Sequence, residues 1–390
     1  MGVSIAMMGT RGVPARYGGF ETAVEEIGAR LADRGHRVRV YCRSGNSTEG
    51  SSYRGMELVT LPALRQRSLE TLSHTGLSVC HLLAHRTDVA IVFNAANALW
   101  LPFLRAARLP VATHVDGLEW KRAKWGPTGR RYYRAAETAA VRLSDALIAD
   151  AGGIRDYYVA EYGAPSRLLS YGAPILCDPR ADRLSELGLT PMGFHLVVAR
   201  FEPENHVEMI VAGYVRSTAR LPLVVVGSAP YADTYIARVH AAGDDPRVHF
   251  VGGVWDQELL DQLYAHALVY LHGHSVGGTN PSLLRAIGAG TATAAFDVDF
   301  NREVLGVDGV YFRTSRDVAA ALARSEADVD SELARGQRLR HRARDYDWDH
   351  VTDGYEQLVH DLRGRIVPGP RWNARRRGVT DRASISPESS

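Results

Sequence analysis

Short apolar runs alternating with helical stretches set the layout of this chain. Residues 3–9 read as an apolar strand. Residues 20–34 follow with Phe20, Val24, Ile27 and Leu31 at helical spacing, and Gly35 stops the helix. Residues 37–42 alternate as a second strand, which makes a βαβ opening. Further strands are expected at 88–93, 109–114 and 145–149, with helical stretches between them. A less periodic stretch, 172–193, is richer in proline and glycine and reads as a connection between domains. Beyond it a second strand–helix series begins, with strands at 195–199, 223–226, 248–251, 267–271 and 291–296. Residues 348–362 return to helical periodicity. Two successive series of this kind predict two α/β domains with parallel sheets and a cleft between them.

The candidate chemistry sits where strands run into glycine loops. The strand at 267–271 feeds HGHSVGGTNPSLLRAIGAG, residues 272–290. There Thr279 and Asn280 can cap a helix, Pro281 fits its first turn, and Leu283, Leu284 and Ile287 give it a buried face. A glycine loop leading into a helix start offers free backbone N–H groups and the positive end of the helix dipole, a seat for an anion such as phosphate. The first strand empties into GTRGVPARYGG, residues 9–19, where Arg11 and Arg16 stand among glycines. Gly9, Gly12, Gly18 and Gly19 do not make the G-x-G-x-x-G spacing of a dinucleotide site. The loop nevertheless lies at a strand's carboxyl end, where open α/β sheets bind ligands. The strand at 109–114 ends in HVDGLEWKRAKWGPTGRRYYR, carrying His114, Asp116 and Glu119. Lys121, Arg122, Lys124, Arg130, Arg131 and Arg134 are interleaved there with Trp120, Trp125, Tyr132 and Tyr133. Such a mixture suits a membrane surface with anionic head groups; the plainer reading is a solvated helix face.

Bulk properties narrow the class. With 390 residues, 45% apolar and 23% charged, the composition is that of a soluble globular protein of two or three domains. No apolar run approaches the ~20 residues of a membrane span. The opening segment has no basic stretch before its apolar one, so it reads as a strand and not a signal peptide. Met1-Gly2 hints at myristoylation, but Ala6 stands where that motif wants serine or threonine. Cys42, Cys80 and Cys177 are odd in number and scattered, which fits a reducing cytoplasm and no metal site. The net charge of +2 hides an asymmetry. Residues 363–390 hold seven arginines against Asp381 and Glu388, +5 in all, which leaves −3 for residues 1–362. Basicity confined to an aperiodic tail, expected to be disordered, argues against a nucleic-acid-binding body.

Four segments then stand in a telling order: GTRGVPARYGGFE (9–21), VDGLEWKRAKW (115–125), ARFEPEN (199–205) and GHSVGGTNPSLL (273–284). Together they resemble the bacterial rhamnosyltransferase family, retaining glycosyltransferases of the group 1, family 4 type, and the resemblance runs to about residue 362. It implies an α/β GT-B architecture: two Rossmann-like parallel-sheet domains facing a cleft, with a C-terminal helix packing back on the N-terminal domain. The implied divisions are an acceptor domain at 1–175, a linker at 176–193 and a nucleotide-sugar-binding domain at 194–345. A returning helix at 346–364 and a disordered basic tail at 365–390 complete the chain. The implied reaction moves a sugar, most often rhamnose from dTDP-rhamnose, to a saccharide acceptor that is often polyprenyl-diphosphate-linked, in cell-surface polysaccharide synthesis. No metal, cofactor or nucleic acid is implied. The implied location is cytoplasmic, peripherally held on the inner face of the cell membrane.

Carried over by position, Gly18 and Gly19 approach the donor diphosphate by backbone, and Arg200 pairs with it by charge. Gly278, Thr279 and Asn280 face it from the helix start. Asp116 and His114 lie at the sugar and acceptor and, with Arg200, are the catalytic candidates. Glu119, Trp120, Lys121, Arg122, Lys124 and Trp125 are assigned to the acceptor and membrane side. Two departures stand out. Gly277 and Arg285 occupy positions where the broader superfamily has two acidic residues, the second holding the donor ribose, and Asn205 stands where it has lysine. A guanidinium only donates hydrogen bonds where a carboxylate accepts them. Arg285 either reaches the cleft, replacing the charge missing at Asn205, or points to solvent or a nearby acid. Two other functions are carried forward: a GT-B transferase with another nucleotide sugar and a soluble natural-product acceptor, and a catalytically degenerate nucleotide-binding paralogue. Asp297-Val298-Asp299 resembles the DxD metal site of the other glycosyltransferase fold but comes too late in the chain for that fold.

Overall fold

The computed structural model describes residues 2–15, 18–45, 50–64, 66, 69–115, 117–122, 125–227 and 233–366. Arg16, Asp116, Lys124 and the expected disordered tail beyond residue 366 lie outside the described residues.

The N-terminal strands are β1 (Ser4–Met8), β2 (Arg37–Arg43), β3 (Ser52–Tyr53), β4 (Met56–Leu61), β5 (Val89–Phe93), β6 (Val111–Val115), β7 (Ala146–Ala149) and β8 (Arg167–Leu168). They form one sheet in the order β3-β4-β2-β1-β5-β6-β7-β8. All its pairings are parallel except β3 with β4, an antiparallel edge. The C-terminal strands are β9 (His195–Val198), β10 (Leu223–Val226), β11 (Val248–Gly252), β12 (Val269–His272), β13 (Ala292–Phe296) and β14 (Val310–Phe312). They make a wholly parallel second sheet, β11-β10-β9-β12-β13-β14. Helices cover both faces, so central strands such as β1 and β5 are buried along their whole length and read as unbroken apolar runs. The runs that escaped the sequence pattern, β3, β4, β8 and β14, are edge or penultimate strands. There one face or one end meets solvent and the apolar signal fades.

Strand order reverses between β1 and β5 in the first sheet and between β9 and β12 in the second. Those are the switch points at whose carboxyl ends α/β folds place their ligands. The loops there are 9–18, 199–205 and 273–280, the glycine- and arginine-bearing segments of the sequence.

Two boundaries come out differently from the sequence expectation or gain detail. Leu184 and Leu189 are buried with Phe194 and Tyr264 in the core of the second domain. The later half of the 176–193 stretch is therefore a structured flank of that domain and not a free linker. The helix Trp348–Arg363 returns to the first domain, where Tyr355, Leu358, Val359 and Leu362 share a core with Val3, Ile5, Ile27 and Leu31. Arg30 and Arg34 of the first helix pair with Asp349, Asp353 and Glu356 along its rim. Among the described residues, no helix is long and apolar enough to cross a membrane.

Candidate active site

The loops after β1 and β6 of the first domain meet the loops after β9 and β12 of the second. Gly18, at φ 106°, turns the chain into the helix Gly19–Asp33 in a conformation that L side chains rarely adopt, and no side chain caps that helix. Of its first four N–H groups, that of Glu21 bonds the Glu21 carboxylate and that of Thr22 the Gly18 carbonyl, while those of Gly19 and Phe20 have no acceptor among the described residues. Glu21 folds the loop back by accepting the Arg11 N–H at 2.9 Å, and burial pushes its carboxyl up from the ordinary value. A methyl group built on Gly19 would lie 3.2 Å from Cγ of Pro281, so the starts of the two glycine-led helices confront each other across the domain boundary.

In the second loop Asn280 caps the helix Pro281–Ala289, its Oδ1 accepting the Ser282 N–H at 2.9 Å. The Thr279 hydroxyl donates to the main-chain carbonyl of Asp150 at 2.8 Å, on the other domain. The Thr279 hydroxyl proton is thus spent across the domain boundary, whereas Asn280 spends only its Oδ1 on the cap and keeps its Nδ2–H donors. Backbone is open as well: among the described residues no acceptor takes the amides of Gly277 or Gly278. At the rim the loops close to backbone contact. A methyl on Gly117 would fall 2.3 Å from the carbonyl carbon of Gly277.

A buried polar chain supports this loop. Asn205, 6% exposed, donates Nδ2 to the Arg200 carbonyl at 2.8 Å and accepts the His274 Nδ1–H on Oδ1 at 2.8 Å. It therefore cannot stand in for a lysine's charge; it fixes the backbone that carries Arg200. Desolvation, then the nearby charges of His272, Arg122, Arg200 and His206, hold His274 well below the usual imidazole range, so it is neutral. Tyr270 Oη lies 3.3 Å from the Val198 carbonyl and 3.0 Å from His272 Nδ1. His272 Nε2 is buried with no partner among the described residues, and burial lowers the pKa of His272 to about 3. Arg200 itself is 37% exposed, with Glu202 Oε2 3.5 Å from its Nη2.

On the facing wall His114, at the end of β6, is sealed in an aromatic box. It stacks on Phe93 at 5.5 Å and Tyr171 at 6.1 Å and meets the edge of Phe20 at 5.0 Å. Desolvation pushes its pKa to about 3. It is a neutral wall of the site at any physiological pH.

The segment assigned to the acceptor and membrane side divides in two. Lys121, Arg130 and Arg131 are exposed. Glu119 and Arg122 are not: they pair with each other at 2.5 Å inside the cleft, 10% and 15% exposed, and Arg122 also faces Glu202 and Glu204 of the other domain. For these two the membrane assignment is corrected, because carboxylates from both domains take the guanidinium before any lipid can. Trp125 donates to Glu119 at 3.4 Å, and Trp120 lies under Lys121 and Arg134 with ring-to-cation distances of 5.5 and 5.0 Å.

Arg285 resolves its two readings in favour of a nearby acid. Its Nε and Nη2 both reach Asp261 Oδ1, at 2.7 and 2.6 Å, above the ring of Tyr264. Asp297 of the DxD triplet is held by Arg302 and Arg313 at 2.5 and 2.9 Å, which lowers its pKa. Among the described residues, one cluster has metal-ligating residue types, His36, Glu356 and His360. There His36 Nδ1 accepts the Val3 N–H at 3.1 Å, so its Nε2 carries the proton facing Glu356 at 2.9 Å and has no lone pair for a cation.

Residues 18–172 match the glycosyl transferase 4-like domain model, and residues 195–328 match the glycosyl transferases group 1 model. The chain is a glycosyltransferase of the group 1, GT4-like type. A Streptococcus gordonii subunit, the UDP-N-acetylglucosamine–peptide N-acetylglucosaminyltransferase GtfA subunit, is 27% identical over 117 residues. That stretch covers 29% of this transferase and only 22% of the relative. Sucrose-phosphate synthase from Thermosynechococcus elongatus superposes with a TM-score of 0.80 at 20% identity, covering 93% of this chain and all of that one. Anabaena HepE in complex with UDP and glucose gives 0.74 at 16% identity over 92% of this chain and all of that one. A trehalose-phosphate synthase from Burkholderia xenovorans, with glucose-6-phosphate, gives 0.73 at 12% over the same shares. These likenesses establish the GT-B fold.

Glu21, Asp150, Glu202, Glu204, His272 and His274 were not singled out from the sequence, although all six belong to this site. The carboxylates of ARFEPEN and the two histidines of HGH carried a usable signal, since charged or ionisable groups at a strand's carboxyl end seldom lack a partner or a role.

Proposed function

We propose that this glycosyltransferase moves a sugar, with retention, from a pyrimidine nucleoside diphosphate to a saccharide hydroxyl in the interdomain cleft. The observation that carries the reading is the confrontation of two helix starts at Gly19 and Pro281, with Arg200 just past β9 in a loop tied to the second glycine loop through Asn205 and His274. Charge grows on the departing diphosphate as the glycosidic bond breaks, and fixed N–H dipoles and a guanidinium stabilise it without reorganising. The C1–phosphate bond breaks while the acceptor oxygen bonds C1 on the same face, and the acceptor proton passes to the leaving phosphate oxygen. The sequence resemblance favours dTDP-rhamnose as donor, and the UDP-containing Anabaena neighbour fits the same pyrimidine class. A thermal-shift screen of nucleotide sugars tests this: the true donor raises the melting temperature by ligand linkage, and no shift with any pyrimidine donor removes the proposal.

We further propose a lipid-linked acceptor, with the exposed Lys121, Arg130 and Arg131 turned to an anionic membrane surface. Each basic residue near such a surface contributes about 1 kcal/mol. Reversing all three charges should weaken co-sedimentation with anionic vesicles, and added salt should release the wild type. Vesicle binding that ignores both changes points to a soluble acceptor.

A further inference from the structure

Two sequence segments with no part in the chemistry above, EWKR at 119–122 and FEPE at 201–204, meet across the domain boundary. Arg122 comes from the first domain. Its Nη1 lies 3.5 Å from Glu204 Oε1 and 3.7 Å from Glu202 Oε2, both of the second domain, while Nε lies 2.5 Å from Glu119 on its own loop. The Glu204 side chain is 6% exposed. Glu204 Oε1 and Glu202 Oε2 are both sealed from solvent and accept no hydrogen bond. A buried carboxylate oxygen without a donor is costly unless a cation faces it. For Glu204 the ion pair found among the described residues is the one with Arg122.

The turn bearing Glu204 is tied into the donor side. The Ser275 amide and hydroxyl both bond the Glu204 carbonyl, at 2.9 and 3.0 Å, so Glu204 moves with the second glycine loop. Arg122 in turn anchors the loop that starts at Gly117, whose backbone abuts Gly277. Opening the cleft returns both carboxylates to water, where they need no partner. Closing it strips that water away next to a site built for a diphosphate, where without Arg122 the charge of Glu204 would go unbalanced and Glu202 would draw on Arg200, 3.5 Å away, the guanidinium meant for the donor.

We propose that Arg122 is a positioning residue: it neutralises Glu202 and Glu204 when the cleft closes and so holds the acceptor-side loop against the donor domain. This rests on the glycosyltransferase reading only for its effect on turnover, because the contact itself forms without ligand. Hydrogen exchange of residues 117–122 and 202–206 in the free protein reads that contact directly. In Arg122→Met these amides should exchange at least about thirtyfold faster, as for one partner removed from a desolvated charge pair. Glu202→Gln/Glu204→Gln should also exchange faster, since it removes both carboxylates that Arg122 faces across the domain boundary. The triple variant Arg122→Met/Glu202→Gln/Glu204→Gln, in which Glu119 is the one carboxylate of the three still charged, should recover part of the protection lost in Arg122→Met. A residue that merely filled space would give no such recovery. Turnover should follow the same pattern. Wild-type protection in Arg122→Met overturns the proposal, and so does a triple variant no better protected than that single one. If Arg122→Met does not fold, the double variant decides: wild-type protection in Glu202→Gln/Glu204→Gln overturns it.

Discussion

Thr279 gives its hydroxyl to the main-chain carbonyl of Asp150, 2.8 Å away, and thereby joins the helix start of the donor domain to the end of β7 in the other domain. A methyl built on the preceding Gly278 would lie 2.1 Å from Asp150 Oδ1, so the same few atoms also set the separation of the domains.

Thr279→Val keeps the shape of the side chain and leaves the Asp150 carbonyl without its donor. It should cost about 1–3 kcal/mol of stability, read from denaturant midpoints. Gly117→Ala acts at the rim and differs in kind. Its methyl meets the backbone of Gly277 at 2.3 Å, and a backbone cannot rotate away. The cleft must open, so turnover should drop by at least about tenfold with little change in melting temperature. A fully active Gly117→Ala would show that catalysis does not need this closure.

His114, His272, His74 and His274 are buried neutral, chiefly through desolvation: the first two have pKa values of about 3, His74 about 4, and His274 lies well below the usual imidazole range. Above about pH 6.5 each is neutral in folded and unfolded chains alike and contributes no pH dependence. As the pH falls below that value the unfolded chain takes up protons that the folded chain refuses, so stability falls toward acid. Four such groups give a slope of up to about 5 kcal/mol per pH unit, partly offset by Glu21 and Glu137, whose raised carboxyl pKa values act the other way. Unfolding at pH 7 and pH 5.5 measures the slope. His114→Phe, which suits the aromatic box, should reduce it by about one proton, and the rate profile of the wild type should show no limb from His114 near neutrality.

Much of this architecture was legible because parallel strands buried on both faces leave unbroken apolar runs, as in Ile5 to Met8 and Val89 to Phe93. The glycine loops were legible because helix starts after strands need capping and turn residues, and Asn280 and Pro281 sit where those rules put them. Pairing across the domain boundary was not. Arg122 looks like one more cation in a basic run until Glu202 and Glu204, eighty and more residues away in the chain, are brought beside it. Thr279 looks like a phosphate ligand until Asp150 claims its hydroxyl. Periodicity reports which face of an element is buried, not what it is buried against.

Arg285 and Asp261, 20% and 29% exposed, form a partly buried pair. Arg285→Glu would therefore set two carboxylates against each other and should lower stability by about 1–3 kcal/mol, with Asp261→Asn restoring much of it. If Arg285→Glu instead raised turnover with no loss of stability, the arginine would be a handicap to the natural enzyme and the pair with Asp261 incidental.

The central claim, that the cleft between Gly19, Gly277 and Arg200 seats a nucleoside diphosphate, is tested most directly by titration calorimetry of UDP and dTDP into wild type, Arg200→Ala and Arg285→Met. One site per chain is expected in the wild type. Arg200→Ala should bind at least about thirtyfold more weakly, the loss typical of truncating one partner of a desolvated charge pair, and Arg285→Met should bind about as well as wild type. An unchanged Kd in Arg200→Ala, or no binding of either nucleotide to the wild type, would contradict the account.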